Sequence, residues 1–133
     1  MNMPETTVKQ AGTDLKDAKA STKVDVGTLI LLAVREKGGM FSIKATEALL
    51  KLKRAKEISF ECIDTSPGLY GNSERVRQIM AVQEVNEFLN QKFGEPATIT
   101  PRGRAWLDDK LREYFPDESK REHIIELMRE IVR

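Results

Sequence analysis

His123 is the only histidine in the chain and Cys62 the only cysteine. A zinc site draws on several His, Cys or carboxylate ligands, so one of each, distant in sequence, is not a metal centre by its spacing. A Cys62–His123 nucleophile–base pair would need only proximity in the fold, since such partners are often remote in sequence. Carboxylates are plentiful, but their spacing is that of solvated helix faces. Asp108-Asp109 falls in the first turns of a helix, where negative charge meets the positive end of the dipole. Glu118, Glu122, Glu126 and Glu130 recur every four residues, and Glu118–Arg121, Glu126–Arg129 and Glu130–Arg133 are i,i+3 ion pairs. Gly38-Gly39 and the Gly68-to-Gly71 stretch match neither GxxxxGK[ST] nor GxGxxG, so they are read as a helix stop and a turn. The expectation is a non-enzymatic chain with no metal, no cofactor and no evident small-molecule substrate.

Residue types suited to binding are better represented. Arg102 and Arg104 flank Gly103 directly after Thr100-Pro101, the pattern of a capped, proline-started helix. Free backbone N–H groups at such an end attract anions, and guanidiniums add bidentate phosphate recognition. Asn72, Ser73, Arg75, Arg77 and Gln78 open another helix and suit phosphate and base-edge contacts, with Tyr70 in the loop ahead of them. Lys44, Lys51 and Arg54 lie in the most basic stretch, 35–57, which holds seven basic residues against three acidic. The formal net charge of the whole chain is only +1, and 58–101 holds six acidic residues against three basic. A nucleic-acid surface would therefore have to be local. The bland alternative for each group is a helix cap with solvated charges.

These residues must be positioned by a chain of 133 residues, 40% hydrophobic and 32% charged, about one domain in length. Residues 1–23 read as a flexible arm, because four lysines, three acids and only Met1, Met3, Val8 and Leu15 as sizeable apolar groups cannot offset the entropy of ordering. Asp25 caps a helix through Lys37 that is apolar on most sides and hence central, with Gly38-Gly39 as its stop. Ser42 caps a second helix over 43–57. Ile58, Phe60 and Cys62 alternate in a short strand around 59–63, and a turn-rich stretch follows. The helix expected over 73–93 carries two apolar phases: Val76, Ile79 and Met80 on one side, and Val82, Val85, Leu89 and Phe93 on another. It is either sandwiched between two layers or broken near Ala81. Ala97 to Thr100 suggests a short strand. Leu107, Leu111, Tyr114 and Phe115 make an amphipathic helix after Thr100. A last helix from about Glu118 to Val132 has a broad stripe of Ile124, Ile125, Leu127, Met128, Ile131 and Val132. That stripe either packs on its own domain or pairs with a second copy through Ile124, Leu127, Met128 and Ile131. No N-terminal apolar core of a secretion signal and no run near the ~20 residues that span a bilayer are present, so the expected compartment is the cytoplasm.

Ile99-Thr100-Pro101-Arg102-Gly103-Arg104 resembles the Leu-Thr-x-x-Gly-Arg segment that, in several families of small prokaryotic winged helix-turn-helix proteins, follows the wing and opens the next helix. Tyr70-Gly71-Asn72-Ser73 loosely resembles the Tyr-Gly-x-x-Ser turn before the third helix of some archaeal members. The resemblance covers about residues 25–115. It implies a mainly α fold with a minor short β-hairpin: a winged-helix-like domain over 24–116, with 117–133 as an added C-terminal helix. Residues 73–80 would begin the recognition helix and 94–99 would be the wing, although Gly94 to Ile99 is short for one. The function so implied is DNA binding, as in a homodimeric transcription regulator. Two alternatives are a helical protein–protein interaction or assembly module and a single-stranded nucleic-acid binder. Aromatics at 6% leave few stacking platforms for the latter.

Overall fold

Val26 through Val34 are nine consecutive buried residues in α1 (Val26–Lys37). A helix that is apolar all round must be surrounded, and this one is. The computed structural model describes residues 23–133, so the arm expected over 1–23 lies, apart from Lys23, outside the described residues. The other elements are α2 (Ser42–Ala55), α3 (Glu74–Val85), β1 (Leu89–Asn90), β2 (Thr98–Ile99), α4 (Pro101–Tyr114) and α5 (Glu118–Val132). All four other helices and β2 pack on α1, α5 most extensively. The fold is mainly α with a short antiparallel hairpin. Leu89 pairs with Ile99 and Asn90 with Thr98. Met40 adds a single bridge to the hairpin's second arm, exchanging both backbone hydrogen bonds with Ala97 at 2.9 and 3.0 Å. None of the described helices is long and apolar enough to cross a membrane.

Several elements differ from their expected form. Asp25 is at the N-cap of α1 but makes no side-chain cap; its backbone N–H donates instead to the Tyr114 hydroxyl at 3.1 Å. Gly38 ends α1 in the left-handed region at φ 88°, its N–H returning to Val34. Ser42 is the first residue of α2 rather than its cap, and Phe41 holds the cap position. The strand around 59–63 is absent: the segment carries no ladder, Phe60 and Ile63 are buried, and Cys62 is exposed. Lys53 fastens this segment to α2, donating to the Phe60 carbonyl, with its ammonium 4.5 Å from the centre of the Phe60 ring.

The two apolar phases of the 73–93 stretch are resolved by ending the helix. α3 stops at Val85, Glu87 adopts a left-handed φ of 63°, and the chain turns into β1. Val76 and Met80 are buried from the helix, and Leu89 is buried from the strand. Val82, Val85 and Phe93 remain outside.

The stripe on α5 is mostly an internal face. Ile124 and Met128, expected at an oligomer interface, are 1% and 0% exposed and belong to the domain's own core. They are withdrawn from any partner because α5 must cover α1 and α2. Leu127 and Ile131 are partly buried against the same core.

Candidate interaction face

The Thr100-to-Arg104 start of α4 is built around the exit of α3. The Thr100 hydroxyl accepts from the Gly103 N–H at 2.9 Å and donates to the Glu87 carbonyl at 2.6 Å. Thr100 is thus both the helix cap and the tie that holds the left-handed turn at Glu87. Thr100→Ala is expected to cost about 1–2 kcal/mol, with Thr100→Ser retaining most of it. Chemical denaturation of the three proteins measures the difference. Equal losses in both variants would mean that the hydroxyl does not carry the effect.

Arg102 is recruited to the same junction. Its Nε donates to the Asn86 carbonyl at the end of α3 at 3.1 Å, and its guanidinium lies 5.6 Å from the centre of the Phe88 ring. A cation at a helix C-terminus complements the dipole there. Phe88 in turn stacks on Trp106 of α4, with centroids 5.0 Å apart and planes 28° from parallel. Between α3, the start of α1 and this aromatic pair lies a groove of about 420 Å3. Ile79, Val82, Phe88 and Trp106 are its apolar walls, and Arg75, Gln78 and Asn86 its polar ones. Gln83 closes the inner side by donating to the Gly27 carbonyl at 2.9 Å, while its own amide oxygen is buried without a partner among the described residues.

The outer surface of α3 is more apolar than its expected role requires. Val82 is 58% exposed, Val85 81%, and Phe93 in the hairpin loop fully so. The two arginines of this helix are already engaged. Arg75 makes two 3.0 Å bonds to the Glu61 carboxylate, which holds the Glu61 pKa below the usual carboxylate range and raises that of Arg75. Arg77 pairs with Glu74 at 3.1 Å, and Gln78 reaches the other oxygen of the same carboxylate at 3.4 Å. Because the Glu61 pKa is lowered by folding, its small contribution is present above the unfolded carboxylate pKa. It is lost as pH falls through the lower folded value. Arg75→Gln is expected to return the Glu61 titration upward toward its ordinary range, which side-chain carboxyl NMR reads directly. An unmoved titration would show that the pair does not hold in solution.

The residues expected to contact nucleic acid are divided. Asn72 and Ser73 serve the fold. Asn72 accepts from Thr46 at 3.1 Å and donates to the Ser42 hydroxyl at 2.9 Å. Ser73 is buried and caps α3 through the Val76 N–H at 3.2 Å. Both side chains are engaged within the fold, a correction to their expected role as free contacts for a duplex. Tyr70 is 93% exposed in the loop. Lys44 and Lys51 both pair with Glu47, at 3.3 and 3.6 Å, and hydrogen bonding to Lys44 lowers the Glu47 pKa. With Lys37 and Arg133 they line a second cleft of about 250 Å3 between α2 and the end of α5. Arg54 and Arg104 are exposed, with no carboxylate within 4.0 Å among the described residues. Lys44 and Lys51 line the one cleft and Arg75 the other.

Cys62 and His123 make no hydrogen bond to each other; the His123 ring meets Glu57 at 3.0 Å. No group of three or more His, Cys, Asp or Glu among the described residues is placed to hold a metal ion. The exposed valines of α3 escaped the sequence reading because apolar residues at helical spacing are ordinarily core. The doubled apolar phase was the one signal of them. No family model, curated protein or solved structure matches the chain.

Proposed function

We propose that this chain is a non-catalytic, cytoplasmic protein-interaction module that binds its partner with the outer face of α3 and the groove beside it. The observation that carries this reading is the exposure of Val82 and Val85 side by side on a helix whose arginines are already paired. Contiguous exposed apolar surface beside a groove is a mark of interaction sites. A helix that reads DNA needs unpaired cations and donors, because phosphate contacts supply most of the affinity. Here the outer surface offers Gln78, Ala81, Val82, Glu84 and Val85, with Arg75 and Arg77 exposed but paired to Glu61 and Glu74.

The test is site-specific photo-crosslinking in cells that express the full chain, with Val82→p-benzoylphenylalanine. Protein adducts are expected from position 82 and none from an exposed control at Asp109. Absence of any protein adduct at 82 would overturn the reading.

A second reading, DNA binding by a winged-helix-like protein, is favoured by the order of the elements. Three helices, a hairpin and a Thr100-started helix follow one another as the resemblance implies, with Met40 bridging the hairpin. A duplex gel shift at low salt separates the two. The interaction reading expects no discrete complex. A complex that weakens steeply with salt, and weakens further in Arg102→Ala and Arg104→Ala, would put the second reading first.

A further inference from the structure

We draw no further inference here: the strongest candidate, the groove between α3, the start of α1 and the Phe88–Trp106 pair, belongs to the interaction face already described, and nothing in the structure shows what covers it, since the unpartnered Gln83 amide oxygen on its inner side is enclosed rather than open to a ligand.

Discussion

Gly103→Ala is expected to lower the melting temperature by about 10 °C, the reverse of what helix propensity alone dictates. In an unencumbered helix interior, alanine is more favourable than glycine by about 1 kcal/mol. At this position a Cβ would stand 2.2 Å from the Phe88 carbonyl oxygen, 3.0 Å from its carbon and 2.9 Å from Cγ1 of Ile99. The carbonyl is not free to retreat, because it accepts from the Thr100 N–H at 3.0 Å. Relief therefore means moving the start of α4 off the hairpin and loosening the junction that also seats Arg102. Overpacking against rigid neighbours costs up to about 3 kcal/mol, and each kcal/mol moves the midpoint of a domain this size by about 4 °C. Thermal unfolding followed by circular dichroism reads the effect, with the exposed Arg104→Ala as a control expected to stay within about 0.5 kcal/mol of the parent. A raised midpoint in Gly103→Ala would mean that the close approach of α4 to Phe88 is wrong.

That residue also marks how far the sequence carried the structure. The cap at Thr100 and the proline start are local chemistry, and both were legible. The need for glycine at 103 was not, because it is set by a carbonyl 15 positions earlier that the hairpin brings back. The central helix was legible from nine consecutive apolar or small residues, since no one-sided arrangement could bury them. The end of α3 was legible only as a conflict of phases. The left-handed residue that resolves it is Glu87, so no glycine or proline announced the turn. The extended segment at 59–63 departs from the alternation rule because its inward residues, Phe60 and Ile63, are three apart and the segment pairs with no strand. At the candidate site, residue types were read correctly but their partners were not. Arg75 finds Glu61 fourteen residues away, and Asn72 finds Thr46 and Ser42 across the fold. No periodicity encodes such pairs, so Arg75 and Asn72 are engaged by other parts of the domain, while Arg54 and Arg104 stand exposed without a carboxylate partner among the described residues.

Deleting residues 117–133 is expected to abolish cooperative unfolding rather than merely to change an oligomeric state. The sequence left α5 open between packing at home and pairing abroad. The structure sets Ile124, Met128 and Val132 at 1%, 0% and 8% exposure against the central layers. Each fully buried side chain of this kind contributes roughly 1.5–3 kcal/mol, and the three together rival the ~5–15 kcal/mol by which a domain is stable at all. Their loss would also uncover the face of α1 on which they sit. The truncated chain should retain helical far-UV dichroism, lose its near-UV signal and bind an apolar dye, the signs of lost packing with surviving helices. Met128→Ala gives the graded version, a loss of about 2–5 kcal/mol. The opposite result is just as informative. A truncated chain that still unfolds cooperatively, with its near-UV signal intact, would show that the core closes without α5.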